Sequence, residues 1–155
     1  MRQKSTFKRN TYIMKFLPYN IKKLPDALLF FSGGAILYPI IELIWRGRTH
    51  WSMSVAGGLC ASIINLANMK LKNHSLALRC CLGGVIITCV EFVTGCIVNL
   101  GLGWKVWDYS GSKFNILGQV CPLFTILWAL LSLPVIMLSN TVNRLRSNAW
   151  NPFYI

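Results

Sequence analysis

The chain has 155 residues, enough for one domain, of which 54% are apolar and only 13% are charged, about half the charged share of soluble domains. Sixteen Lys and Arg against four Asp and Glu give a formal net charge of +12. A soluble protein of this size could not bury so much apolar surface, and nucleic-acid-binding proteins are this basic but not this apolar. The composition therefore excludes soluble enzymes, coiled coils, disordered chains, disulfide scaffolds and nucleic-acid partners, and it predicts a membrane protein in contact with lipids.

The N-terminal segment, residues 1–25, is basic and holds seven of the sixteen Lys and Arg. Between Tyr12 and Leu24 apolar residues mix with lysines and are interrupted by Pro18, which is typical of a segment lying on the anionic inner leaflet. A disordered basic tail that only sets the topology is the alternative. No small-residue cleavage site follows the first apolar stretch, so we expect that stretch to remain in the protein.

Four apolar stretches are long enough to cross a bilayer, which takes ~20 helical residues. They cover residues 27–45, 53–69, 80–102 and about 116–138. Only helices or closed barrels satisfy the backbone in hydrocarbon, and unbroken apolar runs of this length indicate helices. The sequence predicts an all-α polytopic membrane protein with a four-helix transmembrane domain over residues 26–139 and a tail over 140–155. Small residues in the second stretch indicate that it packs against other helices; they are Gly57, Gly58, Ala61 and Ser62.

The Lys and Arg outside the spans predict the orientation. Twelve of them lie in the N-terminal segment, the connection over residues 70–79 and the tail, whereas four lie in the other two connections. The positive-inside rule therefore places both termini in the cytoplasm of a multi-pass protein of the cell membrane.

Aromatic and charged residues collect in the two outer connections, residues 46–52 and 103–115. The aromatic residues are Trp45, Trp51, Trp104, Trp107 and Tyr109. An interfacial belt accounts for rings in such positions. It does not account for the polar residues placed among them, which are Arg46, Arg48, His50 and Asp108.

The outer side also favours anions. The second and fourth spans begin there, so their N-terminal N–H groups and helix dipoles face it. We expect Thr49 or Ser52 to cap the second span and Asn115 to cap the fourth. With two arginines nearby, a phosphate, a carboxylate or a lipid headgroup could bind. Alternatively, the arginines set the topology and contact outer-leaflet phospholipid.

Three spans each carry small and polar residues at helical spacing, and lipid does not favour such faces. The sets are Gly34, Tyr38, Glu42 and Arg46 in the first span; Ser54, Gly58, Ser62 and Asn65 in the second; and Thr88, Glu91, Gly95 and Asn99 in the third. The three faces are therefore expected to meet inside the bundle.

Two carboxylates belong to these faces. Glu42 can pair with Arg46 four residues later, either as part of a site or only as a local salt bridge. Glu91 has eleven residues of its span on either side, and an ionised carboxylate at mid-membrane costs roughly 2.5–3.5 kcal/mol on insertion scales. It is expected to be functional, or else to bond Asn65, Asn68 or Tyr38 as a structural link between helices.

The other chemistry-bearing residues show no known motif. The six cysteines form no C-x-x-C pair and are interpreted as small buried hydrophobes; they are Cys60, Cys80, Cys81, Cys89, Cys96 and Cys121. Two histidines and four acidic residues show no metal-ligand spacing, so neither a metal nor another cofactor is expected. The sequence has no G-x-x-x-x-G-K-[ST] phosphate loop and no G-x-S-x-G motif.

Several strings in the outer connections and the third span resemble a known family. They are Trp45-Arg46-Gly47-Arg48-Thr49-His50-Trp51-Ser52, the segment from Glu91 to Asn99, and Val106-Trp107-Asp108-Tyr109-Ser110 with Asn115, Gly118 and Gln119 after it. Over about residues 29–131 the chain resembles the bacterial CmpB-like ABC-transporter type IV family. The resemblance implies a permease subunit that works with an ATPase or another transporter subunit. It implies no set of catalytic residues.

The first functional hypothesis is a transporter or permease component for a small anionic or zwitterionic solute. Glu91 would be the proton- or substrate-linked carboxylate, and Glu42 would tune Arg46. The residues expected to bind the solute are Arg46, Arg48, Glu42, Glu91, His50, Asp108, Tyr109, Asn99, Asn115 and Gln119. Because four helices make a thin wall for a pathway, a homo-oligomer or a partner chain is expected.

Two alternatives stay open. One is a small intramembrane enzyme acting on lipid headgroups or lipid-linked substrates, in which Glu91, His50 and Asp108 are catalytic. It requires His50 within hydrogen-bond reach of a carboxylate across one cleft. The other is a non-catalytic membrane scaffold, in which the polar faces are fully paired and leave no cavity.

Overall fold

The computed structural model describes residues 19–149, with side chains described for residues 26–145, and contains four long helices. They are α1 (Tyr19–Arg46), α2 (Trp51–Lys70), α3 (Leu76–Gly95) and α4 (Pro122–Ala149). A π-helical turn, Cys96–Gly101, extends α3. Most of the predicted N-terminal segment lies outside the described residues, although its last seven residues are the first turns of α1.

All four helices are long and apolar enough to cross a membrane, over Asp26–Arg46, Trp51–Lys70, Leu76–Gly101 and Pro122–Leu145. The described residues contain no strand, so the predicted all-α membrane fold with four spans is confirmed. The fourth helix begins six residues later than the predicted stretch. Its first residue is a proline, which suits the first helical position because the missing N–H would be unpaired there anyway.

Helix α2 lies at the centre of the bundle. It packs on each of the other three helices, whereas α1 packs extensively on α2 alone. The α1–α2 contact is close because two glycines meet: a Cβ on Gly34 would collide with the carbonyl oxygen of Gly57. Small residues in α2 thus bring helix backbones together, as predicted.

The connections at one end of the bundle, residues 47–50 and 102–121, are called the loop end here. The structure corrects two predicted caps at this end. His50 caps α2, with its Nδ1 accepting from the Ser52 N–H over 3.3 Å. The Thr49 hydroxyl bonds α1 instead, donating to Glu42 over 2.7 Å. Asn115 cannot cap α4, which begins at Pro122.

At the opposite end, polar side chains join α2, α3 and α4. Ser139 donates to Asn65 over 2.7 Å, and Asn68 donates to Ser139 and to Asn140, each over 2.9 Å. Arg79 donates to the Asn68 oxygen over 2.9 Å. This network holds the helices together away from the loop end and engages both asparagines that had been considered as partners of Glu91.

Candidate functional site

Glu91 lies in α3 between two other helices and is 2% exposed. The Tyr38 hydroxyl of α1 donates to its Oε1 over 2.7 Å, and the indole N–H of Trp128 in α4 donates to its Oε2 over 2.6 Å. Each carboxylate oxygen thus has a donor from a different helix. Of the three partners considered for Glu91 from the sequence, Tyr38 is the one that bonds it.

Both donors to Glu91 are neutral groups. The one salt bridge among the described side chains joins Glu42 and Arg46 instead, with 2.6 Å between Oε1 and Nη2. A buried carboxylate without a bonded cation is costly in an apolar interior, because its charge is compensated only by dipoles. Keeping Glu91 in the middle of the bundle is therefore costly in free energy.

Glu42 lies one turn from the loop end and has both oxygens occupied. Arg46 donates to Oε1, and the Thr49 hydroxyl donates to Oε2 over 2.7 Å. The carboxylate is buried, whereas 21% of the Arg46 side chain is exposed. The predicted Glu42–Arg46 pair is present, and Thr49 adds a third member.

A cavity of about 300 Å³ separates α1 from α4 and is called the α1–α4 groove. It exists because α1 packs extensively on α2 alone. The residues lining it are Tyr38, Ile41, Glu42, Ile44, Trp45, Arg46, Phe124, Leu127, Trp128 and Leu131. The two donors to Glu91 are thus part of the groove wall, and Glu91 lies directly behind them.

Tyr109 reaches this region from the long connection before α4. Its ring stacks on Phe124, which lines the groove, with 4.4 Å between the ring centroids. Its hydroxyl is buried and bonds no group in the described part of the chain. Burial raises the pKa of the Tyr109 hydroxyl, and the negative charge of Glu91 raises it further, which places Tyr109 in the electrostatic field of that carboxylate.

Asn99 and Gln119 hold the long connection in place. The Asn99 amide donates to the Trp107 carbonyl over 3.0 Å and to Gln119 Oε1 over 2.7 Å, and its oxygen accepts from the Val106 N–H over 2.7 Å. Asn99 lies in the π-helical turn, and such turns are frequent at functional sites. The hydrogen bonds of Asn99 and Gln119, both predicted to bind the solute, thus connect the π-helical turn to the long connection.

Asp108 and Asn115 build the exposed tip of the same connection. The Ser110 N–H donates to Asp108 Oδ1 over 2.8 Å, which lowers the pKa of the Asp108 carboxyl. The Asn115 amide donates to the Ser110 and Ser112 carbonyls over 3.1 and 2.8 Å. Neither side chain lines the α1–α4 groove.

His50 lies at the loop end among aromatic rings. Its Nδ1 is 2.9 Å from the Ser52 hydroxyl, and its ring centroid is 5.0 Å from that of Trp104 and 5.5 Å from that of Trp51. Among the hydrogen bonds of the described residues, none joins His50 to a carboxylate. Arg48, in the same connection, is exposed.

The ten predicted solute-binding residues thus fall into separate groups. Glu42 and Arg46 line the groove, and Glu91 and Tyr109 contact its wall. Of the others, Asn99 lies in the π-helical turn, and the rest lie at the loop end. Phe124 and Trp128, which also line the groove, were not predicted from the sequence. For Trp128 a signal was available, because an indole N–H inside an apolar span requires a buried partner.

No three His, Cys, Asp or Glu side chains within the described residues lie close enough to hold a metal ion. The six cysteines are free thiols. The arrangement around the groove can therefore act through one ion pair, one buried carboxylate and their hydrogen-bond donors.

Comparison with known families gives one match. The model of the family described as "Putative ABC-transporter type IV" matches residues 52–153, about two thirds of the chain. The matched segment includes Glu91 and Trp128, and it begins after the helix that carries Tyr38, Glu42 and Arg46. No curated protein and no solved structure matches the chain.

Proposed function

Because the chain belongs to the CmpB-like ABC-transporter type IV family, we propose that it is a permease subunit handling a small anionic or zwitterionic solute. Its membership and its four apolar helices make it a multi-pass membrane protein related to transport. In this proposal the α1–α4 groove receives the solute, and Glu91 is the carboxylate that responds to it.

One observation carries the proposal: the two groups that bond Glu91 are also walls of the groove. A solute that displaces Tyr38 or Trp128 changes the hydrogen bonding of a buried carboxylate. Removal of a donor from such a group costs about 1–3 kcal/mol or more. Solute binding would therefore be coupled to the packing of α1, α3 and α4.

The ion pair at the loop end supplies the recognition of charge. Glu42 holds Arg46 at the end of the groove nearest the loop end, and in this proposal Arg48 and His50 belong to the same charged end. A zwitterion or anion would exchange hydrogen bonds with the guanidinium, whose planar fork suits carboxylate and phosphate groups. We place the loop end outside and both termini in the cytoplasm, on the strength of the Lys and Arg distribution.

The partner in this proposal is an ATP-hydrolysing subunit, because the 155 residues contain no phosphate loop. A homo-oligomer or a second membrane chain would complete the wall of the pathway. Tyr109, Asn99, Gln119, Asp108 and Asn115 then act by positioning the long connection over the groove.

The test is purification of the tagged chain from its own membranes in mild detergent, followed by mass spectrometry and an ATP hydrolysis assay. The control is an unrelated four-helix membrane protein that carries the same tag. We expect an ATP-hydrolysing subunit to co-purify with the chain and not with the control. Isolation of the chain with lipids or copies of itself alone would contradict a permease role.

A further inference from the structure

The α1–α4 groove is open along one side of the bundle. Ile44 and Trp45 on its α1 side are 82% and 73% exposed. In a membrane, residues so exposed on an apolar helix face acyl chains, not water. The groove is therefore accessible sideways from the bilayer, and its contents can come from the lipid phase.

The groove wall is apolar along most of its depth. Isoleucine, leucine, phenylalanine and tryptophan side chains supply most of it, and the polar atoms of Tyr38 and Trp128 are directed at Glu91. A fully polar solute would lose its hydration there without gaining hydrogen bonds, at a cost of several kcal/mol. An alkyl chain makes no hydrogen bonds to water, so it would not incur this cost.

Charge is confined to the end of the groove nearest the loop end. There the carboxylate of Glu42 is saturated by Arg46 and Thr49. Arg46 has five N–H donors, and its described hydrogen bond uses Nη2 alone. The open hydrogen-bonding capacity is therefore cationic and donor-only, which is complementary to an anionic group.

The dimensions fit one chain. Tyr38 and Arg46 are eight residues apart on α1, about 12 Å along a helix that rises 1.5 Å per residue. The groove has a volume of about 300 Å³. This suits one alkyl chain that starts at the interface and extends toward the middle of the membrane.

We infer that the α1–α4 groove binds a single-chain amphiphile with an anionic headgroup, which enters from the lipid phase and places that headgroup on Arg46. The inference rests on the proposed permease function and narrows its solute to an anion that carries one alkyl chain. The chain of the amphiphile lies between Ile41 on α1 and Leu127 and Leu131 on α4. Its far end reaches Tyr38 and Trp128, the donors to Glu91.

The test uses a photoreactive fatty acid whose single chain spans about 12 Å, the distance from Arg46 to Tyr38 along α1. It carries a diazirine near the end of its chain, and its methyl ester is the uncharged probe. The tagged chain, together with whatever subunits co-purify with it, is placed in phosphatidylcholine nanodiscs at alkaline pH, where the acid is ionised. Labelled residues are located by mass spectrometry. We expect labelling by the acid to concentrate on the groove-lining residues of α1 and α4, with about tenfold weaker labelling by the ester, the effect of losing one hydrogen bond to a charged group.

Paired variants separate the groove from the rest of the lipid-facing surface. Leu127→Trp fills the groove and should abolish the concentrated labelling, whereas Leu130→Trp, on an exposed part of the same helix, should leave it unchanged. Arg46→Gln should reduce the preference for the acid about tenfold, and Arg46→Lys should retain a preference. Lys113→Gln, in an exposed part of the loop end, controls for surface charge. If Arg46→Gln fails to fold because Glu42 loses its cation, the Leu127 pair and Arg46→Lys still decide the question.

Equal labelling of all lipid-facing helix surfaces, equal labelling by acid and ester, or cross-links from the groove to a helix of a partner subunit would overturn the inference. Failure of the proposed function looks different. Selective labelling without a co-purifying ATP-hydrolysing subunit would support the amphiphile site and contradict the permease function. Co-purification of such a subunit without selective labelling would support the permease function and contradict the amphiphile site.

Discussion

Individual side chains show how this chain keeps a carboxylate in an apolar bundle. Glu91 accepts one hydrogen bond on each oxygen from neutral groups of α1 and α4. Glu42, nearer the loop end, has a cation and a hydroxyl instead. The two carboxylates are therefore stabilised differently, Glu91 by two neutral donors and Glu42 by a cation and a hydroxyl. The sequence predicted Tyr38 as one partner of Glu91 because both lie on polar helix faces. Trp128 lies near the middle of the predicted fourth span, where an indole N–H requires a buried partner, but the sequence does not show which helix supplies that partner.

The bond from Tyr38 can be tested by removing one oxygen atom. Tyr38→Phe leaves Glu91 with a single donor and should lower the free energy of unfolding in detergent by about 0.6–2 kcal/mol, the range for hydrogen bonds between membrane helices. Tyr109→Phe is the matched control, because the Tyr109 hydroxyl is buried without a described partner. It should be neutral or stabilising. Equal losses in the two variants would show that the Tyr38–Glu91 bond contributes nothing.

Asp108 gives a prediction for pH dependence. The Ser110 N–H lowers the pKa of the Asp108 carboxyl in the folded protein. Its stabilising effect on the loop tip is therefore complete above the unfolded pKa of about 3.9 and is lost as the pH falls through the lower folded value. With serine labelled by nitrogen-15, the Ser110 amide resonance should titrate with a midpoint below that of an ordinary Asp. Asp108→Asn should remove the titration, and a midpoint at or above the ordinary value would contradict the assignment.

At the level of elements, helix faces were predictable but helix ends were not. Periodicity placed Gly34 and Glu42 on one face of α1, and both face inward as expected. Hydropathy could not tell that residues 116–121 belong to the long connection, since Ile116, Leu117 and Val120 are apolar. That connection is held by hydrogen bonds between side chains that are far apart in the sequence, such as the bond from Asn99 to Gln119. Hydropathy does not indicate such bonds.

The contact between α1 and α2 predicts opposite effects for two adjacent glycines. A Cβ on Gly34 would collide with the Gly57 carbonyl oxygen, whereas a Cβ on Gly33 would meet nothing within 4 Å. Gly34→Ala should therefore lower the unfolding free energy by about 1–3 kcal/mol, the usual cost of overpacking. Gly33→Ala should be neutral or slightly stabilising, because alanine favours the helix. Thermal unfolding in detergent measures both, and a stable Gly34→Ala protein would show that the two helices are less tightly packed than described.

At the scale of the whole molecule, the groove follows from an imbalance in packing. Helix α2 packs on all three other helices while α1 packs extensively on α2 alone, so a space remains between α1 and α4. The sequence predicted that three polar faces would meet inside the bundle, but periodicity fixes a face and not the neighbour that it meets. The cavity, its apolar wall and its charged end therefore became visible only in three dimensions. Its polar residues nevertheless come from the face that the sequence identified on α1.

The proposed permease function depends most on the Glu91 carboxylate, and ATP hydrolysis by the purified complex in liposomes tests its role. Glu91→Gln keeps the size of the side chain, so the complex should assemble and unfold at the wild-type temperature. Its hydrolysis rate should fall about tenfold or more, equivalent to at least ~1.4 kcal/mol in the barrier. Thr88→Val removes the 3.0 Å Thr88–Thr125 hydrogen bond between α3 and α4. It should leave the hydrolysis rate near that of the wild type. A stable Glu91→Gln complex with the full wild-type rate would mean that the carboxylate only holds three helices together.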